Sequence, residues 1–502
     1  MDFKNVLLRE KSFWKEKSRN SWLSQSDANT KFFHITTLAR RKRNRIESLK
    51  IGENWITDKA EIKNMVTEFY TNLFSVTNSS NIDLLWDGHC CHFTERQRCI
   101  LDLNPSFNEI KKVVFDMNPS KAPGPDGIKC ILYQKYWELV GVSIFEFVKN
   151  AFDEGNFDNK FNDTFVALIP KVDKPESLGQ FRPISLCNVS YRILTRFLVD
   201  RMRPFLSNLI GPHQSSFLPG RMTTDNIVIT QEVIHTLMKT KSKKGGMILK
   251  IDLEKAYDKI SWDFLKQTLV DFNFSNKWIK LIMHCVSTSN VKVLVNGEPC
   301  DNIKPGRGLR QGDPLSPYLF VLCMERLANM INEKVYEGSW KGVKASLNGP
   351  NITHLFFADD ILLFSETDDV NCDTIMDTMD MFCEMSGQSI NYQKSLLFVS
   401  PNVPRGRKNA LHFRCGIPLT DNLGKYLGVP LIHSKMDKRT FKDVLEKTQN
   451  RLSGWKTRLL NLAGRVTLVK HVTSCLPMYQ MQSLALPMSV CKSFDKMNRD
   501  FI

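Results

Sequence analysis

Leu355-Phe356-Phe357-Ala358-Asp359-Asp360-Ile361-Leu362-Leu363-Phe364 sets two short apolar runs on either side of adjacent carboxylates. The runs are rich in Phe and Ile, and the Ala-Asp-Asp between them falls where a tight turn belongs. The pattern predicts a buried β-hairpin with two acidic side chains at its tip. Ionised neighbours in such a place repel each other and lose solvation, so they need a cation or a raised proton affinity. A divalent metal would satisfy both. The stretch also reads as a solvent-exposed turn, since Asp is a common turn residue.

Upstream, Met247, Leu249, Ile251 and Leu253 alternate with Lys250 and Asp252. That period of two describes a strand carrying Asp252 on its open side near its end. An Asp there is either a metal ligand or a helix N-cap, and from Glu254 the pattern turns helical with Lys255, Tyr257 and Trp262. Residues 164–170 form another strand run that stops at Pro170 and presents Lys171, and Arg182 follows a polar segment. Two cations bracketing one hairpin suit a triphosphate grip, and suit equally well a pair of surface charges. A helix is predicted over 188–210 with Arg192, Arg196, Arg201 and Arg203 along it and Pro204 interrupting its far end. Residues 291–295 read as a strand turning at Asn296-Gly297.

Gly306-Arg307-Gly308-Leu309-Arg310-Gln311-Gly312-Asp313-Pro314 lets backbone come close to a ligand. It lacks the phosphate-cradling P-loop pattern, so simple ATPase chemistry is not supported. Pro317 then starts an apolar helix. Residues 371–386 read as an amphipathic helix, and 387–395, including Lys394, as a turn entering the strand 396–399.

Lys and Arg total 69 against 53 Asp and Glu, a net charge of +16 that points to a polyanionic partner. Residues 1–50 alone hold 13 Lys/Arg and 5 Asp/Glu, densest at Arg40-Arg41-Lys42-Arg43-Asn44-Arg45. This run is a phosphate-backbone contact, an import signal or a solvated helix face. Residues 1–75 read as helical, and Phe13-Trp14, Trp22 and Phe32-Phe33 as either a base-stacking or a buried stripe. Residues 76–105 read as a linker. From about Lys435 the chain is again basic and helical, with Trp455, Arg458, Arg465 and Lys470. Thirteen scattered cysteines and no visible signal peptide predict reduced thiols in an intracellular protein, in nucleus or cytoplasm. His89-Cys90-Cys91-His92 cannot readily close a tetrahedron around a metal. No stretch has the length of a membrane span, so no membrane partner is expected.

Taken in order, Asp252-Leu253-Glu254-Lys255-Ala256-Tyr257-Asp258, Arg310-Gln311-Gly312-Asp313-Pro314-Leu315-Ser316-Pro317 and Phe357-Ala358-Asp359-Asp360 resemble the palm motifs of reverse transcriptases. Residues 121–127, 181–186, 217–221, 387–395 and 426–431 resemble phrases of non-LTR (LINE-type) retrotransposons, and the basic start with 455–477 resembles their plant branch. The resemblance covers nearly the whole chain. It implies an α+β right-hand polymerase fold: a basic helical N-terminal extension at 1–105, fingers and an antiparallel-sheet palm at 106–432, and a helical thumb at 433–502. It also implies an RNA-directed DNA polymerase acting on an RNA template, a DNA primer and dNTPs.

Residue by residue, Asp252, Asp359 and Asp360 are similar to the carboxylates that hold two Mg²⁺ ions, with Mn²⁺ as a substitute. Tyr257 resembles the aromatic that selects dNTPs against the 2′-OH. Lys171 and Arg182 look like triphosphate-gripping cations, and Gln311 and Gly312 like the nucleotide-facing turn. Lys394 is similar to a proposed general acid for departing pyrophosphate. Phe357 stands where many relatives have Tyr, a change that keeps the ring. The endonuclease and ribonuclease H that such elements often encode find no counterpart in the sequence. A silent remnant that only binds RNA is the alternative reading.

Overall fold

The structure, a computed structural model, describes residues 3–19, 30–76, 91–240, 244–346, 348–434, 436–454 and 460–502. Trp22, His89, Cys90, Lys435, Trp455 and Arg458 lie outside the described residues. The chain divides into one compact unit of Ile46–Leu423 and another made of Met1–Arg45 with Gly424–Ile502.

In the larger unit nine strands position the chemistry: β1 (Thr164–Pro170), β2 (Phe181–Cys187), β3 (Gly246–Asp252), β4 (Val291–Val295), β5 (Glu298–Ile303), β6 (His354–Phe357), β7 (Asp360–Glu366), β8 (Leu396–Val399) and β9 (Leu419–Thr420). They form a five-stranded sheet in the order β6-β7-β3-β8-β9 and a four-stranded sheet in the order β2-β1-β4-β5. The fold is mixed α+β. β7 and β8 flank β3 in antiparallel register, whereas β9 joins β8 in parallel.

Burial fixes this register. Leu249 and Ile251 of β3 and Ile361 and Leu363 of β7 are all within 2% of complete burial. A slip of one residue would exchange them for Lys250 and Asp252 and turn charges into the core. Ile248, on the opposite side of the strand, is buried as well. The helices Val189–Leu209, Trp262–Asp271, Ser316–Tyr336 and Asp369–Ser386 share one apolar core with Met247, Leu249 and Ile251.

Three sequence expectations change. The helix Val189–Leu209 continues through Pro204; burial of Leu206 and Leu209 outweighs the backbone hydrogen bond that proline forfeits. Residues 1–75 are not helical throughout, since Leu49–Ile51 and Asn54–Ile56 pair as a small hairpin. The presumed linker ends in a packed segment: Phe93 and Leu101 are buried, and Thr94 caps the helix Glu95–Leu101 through a capping box. Pro183 stands in β2, where an edge strand tolerates its missing N–H.

In the smaller unit the helix Thr30–Asn44 buries Phe32 and Phe33 against Leu460 and Leu468. Trp14 packs beside them, 4.3 Å from the His34 ring in edge contact. The packing reading of that aromatic stripe holds for these residues. Arg41, Lys42 and Arg43 occupy the helix's last turn and are exposed, where its dipole favours cations.

Candidate active site

Hairpin geometry places the first carboxylates. Ala358 and Asp359 make the two-residue turn between β6 and β7, with Ala358 at φ +55°. Asp360 is the first residue of β7 rather than part of the turn, and it stands directly opposite Asp252 across the β3–β7 ladder. Residues 107 or more positions apart in sequence thus share one sheet edge.

Backbone contacts hold the end of β3 and the hairpin turn in place. The Asp252 backbone N–H donates to Ser395 Oγ (3.1 Å), and its carbonyl accepts from the Asn391 N–H (2.8 Å). The Ala358 N–H donates to Gln214 Oε1 (3.1 Å) and Ser216 Oγ (2.9 Å). Asn226 Nδ2 donates to the Phe356 carbonyl at 3.0 Å. No local pattern marks Gln214, Ser216 or Asn226, and Ser395 is legible only as the end of the 387–395 turn.

Asp359 and Asp360 are exposed to solvent, yet the surrounding protein displaces enough water to raise both proton affinities. Burial lifts the Asp359 carboxyl above its ordinary range, and Asp252 adds to the rise while Arg182 opposes it. Asp360 is pushed up to about 6 by burial, by Asp359 and by Asp252, with Lys250 opposing. The acids therefore feel one another's charge. Among the described residues no three His, Cys, Asp or Glu side chains form a ready-made metal cage. The donor chemistry nonetheless fits a hard divalent cation: three carboxylates at one edge, two of them reluctant to ionise without a counter-charge.

This strain has a measurable sign. A folded-state pKa near 6 for Asp360, above the unfolded value, means stability is lost as pH rises from about 4 through 6. In metal-free buffer, Asp360→Asn is expected to match the parent at pH 4. At pH 8 it should exceed the parent by roughly 0.5–1 kcal/mol, after discounting for solvent screening. Thermal unfolding at both pH values checks this, and parallel pH profiles would contradict it.

Cations surround the same edge. Lys171 follows β1 and folds onto its own hairpin, with Nζ donating to the Gly179 carbonyl at 3.2 Å. Burial lowers its proton affinity, Arg182 and Lys394 lower it further, and Asp258 and Asp252 oppose. Lys171, Arg182, Lys394 and Asp252 are thus electrostatic neighbours. Lys394 is exposed in the turn before β8, its N–H held by the Asn391 carbonyl at 3.2 Å.

Tyr257 stacks on Phe320, with rings 4.5 Å apart and 13° from parallel. Its phenol is raised far above the usual range by burial and by Asp359, so it both packs and lies near the hairpin acids. The Gln311 carbonyl accepts from the Ser185 N–H of β2 at 2.7 Å. Gly312 adopts φ +112°, and a Cβ there would lie 2.9 Å from the Ser185 carbonyl oxygen, which is why this contact needs glycine.

Behind the turn, Arg310 is a hub, with its side chain 11% exposed. It donates to Asn162 Oδ1 (2.7 Å), Thr164 Oγ1 (2.9 Å), the Cys285 carbonyl (2.9 Å) and Asp313 Oδ2 (3.2 Å). It also donates to the Tyr191 hydroxyl, which in turn donates to Asp313 at 2.7 Å.

Residues 169–431 match the family model described as reverse transcriptase (RNA-dependent DNA polymerase). The chain belongs to that family. It is 24% identical over 497 residues to the transposon TX1 uncharacterized 149 kDa protein of Xenopus laevis, covering 97% of this chain and 37% of that one. It is 28% identical over 276 residues to the Pol polyprotein from the type-2 retrotransposable element R2DM of Drosophila melanogaster, covering 55% of this chain and 24% of the relative. A 67-residue stretch is 51% identical to an uncharacterized mitochondrial protein of Arabidopsis thaliana, covering 13% of this chain and 55% of that one. These relatives place the chain with reverse transcriptases of non-LTR retrotransposon type. The chain spans less than half the length of the TX1 and R2DM proteins. No helix among the described residues is long and apolar enough to cross a membrane.

Proposed function

We propose that the chain is an RNA-directed DNA polymerase that adds dNTPs to a DNA primer on an RNA template. The observation that carries this reading is the β3–β7 register, which sets Asp360 opposite Asp252 beside Asp359. In this reading Asp252, Asp359 and Asp360 hold two Mg²⁺ ions, which when bound activate the primer 3′-OH and steady the leaving group. Lys171 and Arg182 bind the triphosphate, Gln311 and Gly312 face the nucleotide, and Lys394 supplies a proton to pyrophosphate. Residues 106–432 then serve as fingers and palm, 433–502 as thumb, and 1–105 as a basic extension that follows template phosphates. In this reading the element belongs to the plant LINE branch, for which the plant-type phrases are the support, and the work would be done inside the cell.

The test is extension of a DNA primer annealed to RNA, with dNTPs and Mg²⁺. Incorporation that stops with a chelator supports the reading. Salt-dependent RNA binding without incorporation would instead support a silent remnant that only binds RNA.

Tyr257 carries its own prediction. Its ring lies beside Asp359 and is backed by Phe320, a rigid wall where a 2′-OH would sit. Tyr257→Ala is expected to cut discrimination against ribonucleotides at least about tenfold, read as the ratio of kcat/KM for dNTP and rNTP. An unchanged ratio would leave Tyr257 a packing residue.

A further inference from the structure

Asp258 has no part in the roles above. It sits on the short helix Ala256–Lys259 and is 4% exposed. A carboxylate so buried requires partners. Gln311 Nε2 donates to its two oxygens at 3.3 and 3.4 Å, and Lys255 and Lys171 are its cationic neighbours.

The surroundings are laced tightly. The Gly308 N–H donates to the Ile260 carbonyl and the Leu309 N–H to the Tyr257 carbonyl, each at 2.7 Å. Gly308 has φ +91°, and a Cβ there would come within 2.5 Å of the Asp258 carbonyl oxygen. On the far side, Lys255 Nζ lies 4.0 Å over the Phe69 ring. Phe69 belongs to the helix Lys59–Phe74, whose Leu73 and Phe74 carbonyls accept from Arg307 Nε (2.9 Å) and the Gly306 N–H (2.8 Å).

An ionised carboxylate only accepts, whereas an amide has a donor end and an acceptor end. Pairing with Asp258 therefore turns the Gln311 amide one way, nitrogen inward. Gln311 Oε1 makes no hydrogen bond among the described residues, and the residue is half-buried at the site.

We propose that Asp258 is a positioning residue for the incoming nucleotide. It holds the Gln311 amide in a single orientation and keeps the Lys255 ammonium beside the end of β3. The proposal rests on the polymerase reading above.

The experiment uses the full chain on an RNA template with a 3′-dideoxy-terminated DNA primer and measures dNTP affinity from stabilisation of the ternary complex. Asp258→Asn is expected to weaken dNTP binding about tenfold, with template–primer affinity unchanged. Gln311→Ala should lose a similar factor, and the double variant no more than either single one. Asp258→Glu keeps the anionic acceptor and should stay within about threefold of the parent. On an extendable primer, Asp258→Asn should raise KM for dNTP with kcat within about threefold. Wild-type dNTP affinity in Asp258→Asn, or losses that multiply in the double variant, would overturn the proposal and leave the polymerase reading standing. Failure of the unaltered chain to retain dNTP on the template–primer would remove the reading and the proposal together.

Discussion

Asp252→Asn is expected to lower primed incorporation at least about a thousandfold while leaving folding and RNA binding intact. The side chain is isosteric, and the contacts that seat residue 252 run through its backbone, to Ser395 Oγ and from the Asn391 N–H. What disappears is one anionic oxygen at the sheet edge. A neutral amide oxygen is a poor ligand for a hard dication, so loss of activity should come without loss of structure. Removing the charge also relieves Asp359 and Asp360, whose proton affinities Asp252 raises. The variant should therefore unfold no earlier than its parent in metal-free buffer. Near-parental incorporation would make Asp252 a bystander.

The second large effect is on stability. Arg310→Met keeps much of the side-chain volume but strips Asp313, which is 5% exposed, of its cation. Tyr191 and the Leu315 N–H still reach the carboxylate, but the negative charge is left buried and uncompensated. Breaking a buried pair on one side costs about 3–5 kcal/mol. The loss of donors to Asn162, Thr164 and the Cys285 carbonyl adds to the cost. Urea unfolding measures it directly. Arg310→Met combined with Asp313→Asn should recover part of the loss, because the orphaned charge is gone. A single-variant cost under about 1 kcal/mol would show that the hub is ornamental.

The sequence made some of this geometry legible and hid the rest for identifiable reasons. Alternation at 247–253 and the paired apolar runs around Asp359 announced β3 and the hairpin, because a half-buried strand must alternate and a buried hairpin need not. Their mutual register was implicit in which residues could be buried. Lys171 and Arg182 were visible together because one hairpin connects them. Partners reached only through the fold were invisible: Gln311 and Asp258 are 53 positions apart, and Gln214 and Ala358 are 144.

Arg310 draws on residues 162, 164, 191, 285 and 313, and no window of sequence contains that set. Asp258 did offer a signal. It is an acid on the same short segment as Tyr257, next to an apolar helix, where an acid must find a partner. The hairpin at residues 49–56 escaped because its strands are three residues each, too short for alternation to register. Pro204 misled because a local helix breaker was weighed without the burial of Leu206 and Leu209 beyond it.

The central claim is that the acids gathered by the β3–β7 register perform nucleotidyl transfer. Its most direct measurement is single-nucleotide incorporation on a DNA-primed RNA template with Mg²⁺, the unaltered chain beside Asp359→Asn. The expected result is extension by the parent that chelator abolishes, and at least about a thousandfold less by the variant. Equal, robust incorporation by both proteins would contradict it.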